Sequence, residues 1–394
     1  MFKRSILSRI KNSASYLILG PRQTGKSTLL SNISVSYKLD LLIQDKFFQF
    51  NKDPDLLYKE ITSLQDKSST VWIDEIQKIP ALLDVVHKLM FEFPNLKFIL
   101  SGSSARKLKR GAANLLGGRA IDLKMHPLTI EEMGKDFDLE LALRYGTMPK
   151  IYSTIAVQKD KIIAEDLLGA YISTYLEQEI IDESLTRNLA SFQRFLEIAS
   201  FQSGLEINFS LIADDVLVEA ELVKDYYSIL EDTLIGFFLY PYQKSPRKRL
   251  TKRPKFYFFD NGVARAGARQ HTSDPTNQER GKLFEQFMIQ ELRRLNDYKN
   301  KGCNFYFWCT SNRAEVDLII EKGQEIIMAI EFKAGRSVGA RDFRGLNSFY
   351  KDFPKVPRIL CAPVEKSQRH KFDNGMTAID VVSPAELVER FAGI

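Results

Sequence analysis

Gly20-Pro21-Arg22-Gln23-Thr24-Gly25-Lys26-Ser27, with Thr28 next, fits the pattern GxxxxGK[ST]. The apolar run Tyr16-Leu17-Ile18-Leu19 precedes it and the helical pattern TLLSNI follows from Thr28. Strand, glycine loop and helix form the setting in which successive backbone N–H groups turn inward on a phosphate chain. Gly20 and Gly25 permit the turn, and the helix adds its positive end. Residues Gly20 to Thr28 are therefore the candidate cradle for a nucleoside triphosphate, most simply ATP with Mg²⁺. Lys26 is expected to reach the β- and γ-phosphates and Ser27 to ligate the metal. The competing reading is a chance glycine turn.

Some fifty residues on, Val71-Trp72-Ile73-Asp74-Glu75 is an apolar strand that ends in two acids. Behind a phosphate loop, Asp74 is placed to hold Mg²⁺ through water, and Glu75 to orient or deprotonate an attacking water. Alternatively the two acids are a solvated pair at a strand end. The next strand, Lys97–Leu100, runs into Ser101-Gly102-Ser103-Ser104. Ser101 and Ser103 are the candidates to lie between the two motifs and sense the γ-phosphate or the water. A serine-rich turn is the plain alternative.

From Ser15 to about Lys124, apolar runs of four to six residues alternate with helical patterns, which predicts an α/β fold with a doubly wound parallel sheet. From about Leu128 to Arg265 the pattern is mostly helical and ends in short strands. From about Asn277 a helix leads into strands at FYFWCT, AEVDLIIE and EIIMAIEFK. The expected division is 1–150, 151–270 and 271–394, with linkers near 125–150 and at the polar segment RQHTSDPTNQERG.

At 394 residues, two or three domains are expected, and 44% hydrophobic with 27% charged residues is a globular composition. No run approaches the roughly 18–20 apolar residues that cross a bilayer, and MFKRSILSRIK lacks the apolar core of a secretory signal. Three cysteines without a CxxC pair and four scattered histidines point to the reducing cytosol and away from zinc. The net charge of +6 is mild. Its local concentration at 244–255 matters more.

In the middle section, Phe192, Phe195, Leu196, Ile198 and Ala199 form one helical stripe, and Phe209 opens a second helix. Leu222, Tyr226, Ile229 and Leu230 form a third stripe, followed by the strand Ile235–Tyr240. That order is similar to a winged helix. The segment KSPRKRLTKRPKFYFFD then supplies Lys244, Arg247, Lys248, Arg249, Lys252, Arg253 and Lys255 as a candidate wing for DNA or RNA phosphates. Against this, Glu219, Glu221, Asp225, Glu231 and Asp232 on the third helix would repel a phosphate backbone. The alternative is a solvated or interdomain loop.

In the last section Asp317 precedes Glu331-Phe332-Lys333, and Glu285 lies upstream on a helix. This D…ExK spacing resembles the PD-(D/E)XK nucleases, of restriction-endonuclease-like fold. The resemblance implies Mg²⁺ on Asp317 and Glu331 and a water positioned by Lys333. Strand parity sharpens the expectation. Val316, Leu318 and Ile320 must bury on the same side as Ile326, Met328, Ile330 and Phe332. A three-residue loop, Lys322-Gly323-Gln324, meets that rule, setting Asp317 opposite Ala329 and diagonal to Glu331. The alternative is the solvent face of an edge hairpin.

The motifs GPRQTGKSTLL, WIDEIQKIP, ILSGSSARKL, LLGGRA and MHPLTIEE, in this order, resemble the AAA+ class of P-loop ATPases, and within it a prokaryotic branch with a C-terminal domain of unknown function. The resemblance covers nearly the whole chain. It implies ATP hydrolysis, a winged-helix section, and Arg119 as a phosphate-facing or intersubunit arginine, with Arg106 and Arg110 as substitutes. It also implies homo-oligomers, by analogy hexamers. Two functions fit: a nucleic-acid enzyme whose C-terminal site cleaves phosphodiesters, or a nucleotide-controlled switch whose nuclease-like domain binds without cutting. Action on proteins is a third.

Overall fold

The computed structural model describes residues 2–11, 13–64, 69–104, 118–176, 189–243, 252–372 and 377–394. The first sheet holds β1 (Ser15–Leu19), β2 (Tyr37–Asp40), β3 (Thr70–Asp74), β4 (Lys97–Gly102) and β5 (Ala120–Lys124), in the order β2-β3-β4-β1-β5. All of its pairings are parallel. The three inner strands β1, β3 and β4 read as apolar runs because both of their faces are buried, while the edge strands β2 and β5 carry Lys38, Asp40, Asp122 and Lys124. Leu17, Leu19, Val71, Ile73, Phe98 and Leu100 enter one core, while Tyr16, Ile18, Trp72, Ile99 and Leu123 enter the other. Helices α1 (Lys26–Leu30), α2 (Gln44–Lys52), α3 (Asp55–Thr62) and α4 (Leu82–Glu92) belong to this α/β unit.

Residues 125–150 are not a linker. They fold into α5 (Ile130–Met133) and α6 (Leu139–Tyr145), and Leu128, Met133, Ala142 and Leu143 are buried. These side chains share a core with Phe284, Phe287 and Met288 of the later helix α13 (Asn277–Tyr298). The middle of the chain is helical, with α7 (Pro149–Ala156), α8 (Lys161–Ala170), α9 (Leu189–Phe201), α10 (Phe209–Val216), α11 (Ala220–Asp232) and α12 (Asn261–Gly267). Phe192, Phe195, Tyr226 and Tyr227 pack ring on ring between α9 and α11. The predicted stripes therefore face inward, as the periodicity demands.

The two strands after α11 have a second allegiance. β6 (Gly236–Pro241) and β7 (Lys255–Phe258) pair antiparallel, as a wing would. β6 also pairs with β8 (Asn304–Cys309), so the hairpin extends the C-terminal sheet. That sheet runs β12-β13-β11-β10-β9-β8-β6-β7, with β9 (Glu315–Lys322), β10 (Glu325–Phe332), β11 (Arg358–Cys361), β12 (Gln368–His370) and β13 (Ile379–Val382). Helices α13, α14 (Arg344–Asp352) and α15 (Pro384–Ala392) complete this unit. No described helix is long and apolar enough to cross a membrane.

The β9–β10 hairpin corrects the predicted loop. Lys322 pairs with Glu325, so the turn has two residues, Gly323 and Gln324, at φ of 57° and 72°. Positive φ at both centres is the type that matches strand twist. The parity rule survives because β10 carries a bulge between Ile326 and Met328. Beyond it Met328 faces Ile320 and Ile330 faces Leu318, even against even. Ala329 therefore faces Ile319, not Asp317, and the register continues with Glu331 toward Asp317.

Candidate functional site

The phosphate loop leaves the end of β1 and closes on α1. Gly25 sits at φ 93°, where a side chain is strained, and a Cβ on Gly20 would lie 2.3 Å from the Met125 carbonyl oxygen. The loop needs its two glycines for different reasons, one for the turn and one for close approach. Thr24 Oγ1 donates to the Pro21 oxygen at 2.8 Å, and Gln23 takes φ 63°. Lys26 Nζ donates to the oxygens of Gly20 (2.6 Å) and Pro21 (3.0 Å), folded within the loop. Arg22 is half-buried, and Ser27 and Thr28 open to solvent at the start of α1.

Sheet order brings the second motif alongside. β4 lies between β1 and β3, so Ser101 stands between the loop and Asp74. Ser27 Oγ donates to Asp74 Oδ2 at 3.0 Å, and Ser101 Oγ donates to Asp74 Oδ1 at 2.5 Å. Trp72 Nε1 donates to Ser101 at 2.9 Å and fixes that hydroxyl in turn. The hydroxyl of Ser27 and the buried carboxylate of Asp74 are neighbouring oxygen donors, a chemistry that suits Mg²⁺. Glu75 takes the left-handed φ of 57° and half-emerges beyond the strand.

Sequence reading missed Gln77. The short 3₁₀ turn Ile76–Lys78 folds it back, so its amide donates both to Glu75 Oε2 and to Ser103 Oγ, the latter at 3.0 Å. Ser103 thus meets the acid pair through Gln77. The only sequence signal was its place two residues after Glu75.

Arg119 lies at the other end of the sheet. Ala120 aligns with Ser15, the first residue of β1, while the phosphate loop follows the last. The separation is about 15 Å along the strand, so Arg119 does not face the phosphates of its own chain. It is exposed, beside His87 and 6.0 Å from the Phe91 ring centre on α4. Arg106 and Arg110 lie outside the described residues, as do Lys244, Arg247, Lys248 and Arg249 of the basic segment.

Arg4 was also missed. It is buried, and its guanidinium donates to the oxygens of Thr24 (2.7 Å) and His126 (2.6 Å) and to the Tyr298 hydroxyl (3.2 Å). Its Nε lies 3.1 Å from Glu132 Oε2. One side chain thus ties the phosphate loop to the C-terminal end of α13. His126 adds a second tie, 2.7 Å from Asp297. Burial lowers the His126 pKa, while His126 helps hold Asp297 down at about 2 against its own burial.

About three turns back along α13, in its N-terminal half, Glu285 meets the C-terminal sheet. Asp317 and Glu331 are both buried, and the charge of Glu285 acts on each of them. Asp317 Oδ2 accepts from the Phe332 amide at 2.8 Å, and Lys333 Nζ donates to Glu331 Oε1 at 2.7 Å. The four residues named from the D…ExK spacing do converge. Burial first, then Glu331 and Glu285, raises the Asp317 pKa, and burial raises Glu331 to about 7 against the pull of Lys333. Two residues of β7 join them: Lys255, which the sequence groups with the basic segment, and Tyr257. Lys255 Nζ lies 3.1 Å from Glu285 Oε1 and 2.5 Å from Glu315 Oε1, and Tyr257 donates to Glu285 Oε1 at 2.6 Å. Burial alone would lower the Lys255 pKa, yet Glu285, Tyr257, Glu315 and Asp317 hold it above the ordinary lysine value.

These residues do not fit a ready-made divalent-metal site. Among the described residues, no group of three or more His, Cys, Asp or Glu is arranged to hold a metal ion. The expected Mg²⁺ pair, Asp317 and Glu331, is present, but ammonium groups engage its acidic neighbours and Glu331 itself.

Residues 12–134 match the family described as an AAA domain. Residues 136–274 and 280–383 match two domains of unknown function, DUF8612 and DUF4143. An uncharacterized protein of Mycobacterium tuberculosis is 26% identical over 310 residues, covering 77% of this chain and 67% of its own. One of Methanocaldococcus jannaschii is 20% identical over 402 residues, covering 95% and 86%. The Walker-type ATPase PABY2304 of Pyrococcus abyssi is 16% identical with a TM-score of 0.47, covering 68% of this chain and 96% of that one. The match over residues 12–134, together with the parallel sheet and phosphate loop, gives the N-terminal unit the P-loop α/β fold of an AAA domain, followed by a helical middle and a second α/β region.

Proposed function

We propose that the chain is an ATPase whose nucleotide state controls a nucleic-acid-directed C-terminal domain. The observation that carries the first half is the Ser27–Asp74–Ser101 chain of hydrogen bonds beside Lys26. In this reading Ser27 and Asp74 would hold Mg²⁺, which would supply positive charge to the phosphates. Lys26 binds the β- and γ-phosphates, and Gly20 to Thr28 supply the cradle. Glu75 takes the proton of the attacking water, Ser101 orients Asp74, and Ser103 acts on Glu75 through Gln77. Arg119, facing outward, reaches the γ-phosphate of a neighbouring subunit in a homo-oligomer, hexameric by analogy.

Lys26→Ala is expected to abolish measurable ATP binding, and Glu75→Gln to leave binding within about threefold while removing turnover. ATP hydrolysis by Glu75→Gln at the wild-type rate would reassign the base.

For the second half, the convergence of Glu285, Asp317, Glu331 and Lys333 supports a nuclease-like site, with DNA or RNA held by the basic 244–255 segment. One observation favours binding without cleavage: lysine ammonium groups already neutralise Glu285, Glu315 and Glu331. A panel of DNA and RNA, scored for both ATPase stimulation and strand cleavage, separates the two. Stimulation with cleavage establishes the enzyme, stimulation alone the switch, and neither sinks the nucleic-acid reading.

A further inference from the structure

The lysine in this cluster comes from an unexpected place. Lys255 opens β7, in the region of the chain that matches a different family from the carboxylates it meets. It is 5% exposed, unusual for a lysine, and its ammonium group bridges Glu285 of α13 and Glu315 of β9. Tyr257, two residues along the same strand, donates to the very oxygen of Glu285 that faces Lys255. One strand therefore supplies both the charge and the hydrogen bond that hold Glu285.

Carboxyl groups outnumber ammonium groups here. Glu285, Glu315, Asp317 and Glu331 surround two ammonium groups, Lys255 and Lys333. Glu331 Oε2 is buried without a hydrogen-bond partner. A buried carboxylate oxygen left unpaired is costly, and a divalent cation is the partner that two or three such oxygens share. A point charge on a flexible stem can hold that place, and can also leave it.

A way out exists. Lys255 lines a cavity of about 210 Å³ with Glu285, Glu315 and Lys282. A neighbouring cavity of about 570 Å³ shares Glu315 and is lined by Lys252, Arg253 and Arg313. Lys252 and Arg253 are exposed and stand three and two positions before Lys255. An anionic ligand gathered by them would pull on the start of β7.

We propose that Lys255 is a built-in counter-ion that keeps divalent cations out of the Glu285–Asp317–Glu331 cluster, and that withdrawing it turns the cluster into a divalent-cation site. The inference rests on the nuclease-like reading of that cluster. Lys255 is a positioning residue in this scheme, since it acts on the carboxylates rather than on a substrate.

The test is Mn²⁺ binding to nucleotide-free, full-length protein, followed by calorimetry and by the electron paramagnetic resonance of free Mn²⁺. Lys255→Met is expected to bind one Mn²⁺ at least tenfold more tightly than the wild type. Adding Glu331→Gln to that variant is expected to remove the gain, and Lys255→Arg to behave as wild type. Because Lys255→Met leaves acids unpaired, Lys255→Gln is measured beside it by melting temperature. Mn²⁺ is expected to raise the melting temperature of both neutral variants and not that of the wild type. Equal, tight binding by wild type and variants overturns the counter-ion role while keeping a metal site. Binding by none of them overturns the metal reading of the cluster, and the counter-ion proposal with it.

Discussion

Arg4 Nη1 donates a 2.7 Å hydrogen bond to the main-chain oxygen of Thr24, inside the phosphate loop. The same guanidinium reaches His126 and Tyr298, so the loop and the end of α13 share one rigid fork. Arg4→Ala would leave Glu132 buried without its cation, at a cost of about 3 kcal/mol or more. We expect a lower melting temperature together with roughly tenfold weaker ATP binding, about 1.4 kcal/mol. Arg4→Lys should recover little of the binding, since an ammonium cannot span Thr24 and His126 at once. Unchanged ATP affinity in Arg4→Ala would reduce Arg4 to a purely structural tie.

Gln77 bridges Glu75 and Ser103. Gln77→Ala should lower kcat about tenfold, a fraction of what a general base contributes, with KM for ATP within twofold. A change in KM with kcat intact would move Gln77 from water positioning to nucleotide binding.

Arg119 faces away from its own phosphate loop. If it serves a neighbour, Arg119→Ala and Glu75→Gln subunits should each be inactive alone and regain ATPase activity when mixed. Absence of recovery, with monomers fully active at every concentration, would remove the intersubunit role.

Glu291 is fully buried, and burial pushes its pKa up to about 7 from 4.5. Between these values the folded chain keeps a proton that the unfolded chain has lost, so stability falls as pH rises. The shift corresponds to about 3 kcal/mol. Ile130 N donates to Glu291 at 3.0 Å, an acceptor role that glutamine retains. Glu291→Gln should therefore flatten the decline in urea midpoint between pH 5 and pH 8. Parallel declines in wild type and variant would place the proton elsewhere.

The nucleotide site was legible because its parts are contiguous: a strand, a glycine loop and a helix start lie within fifteen residues of one another, as Tyr16 to Leu30 do. Asp74 and Ser101 were legible as strand ends, since parallel strands present their C-terminal ends together. Arg4 was not, because its partners lie up to 294 positions away and a lone basic residue near a chain start carries no pattern. The carboxylate cluster and Lys333 were found by spacing, yet Lys255 was grouped with the basic segment rather than with these acids. Alternation in β9 and β10 fixed which residues share a face, but a single bulge traded a three-residue loop for a two-residue turn without disturbing that pattern. Sequence periodicity is blind to such an exchange.

The parallel pairing of β6 with β8 makes the family boundary near residue 280 a poor place to cut. Tyr240 and Pro241 line up with Tyr306 and Phe307, and Tyr242 N continues the contact to the Phe307 oxygen at 2.6 Å. A fragment beginning at residue 280 would bare that rim of β8 and take Lys255 and Tyr257 away from Glu285. Bare strand rims recruit other strands, so such a fragment should aggregate through the exposed edge of β8. The last third of this protein is better treated as an inseparable limb than as a transplantable part.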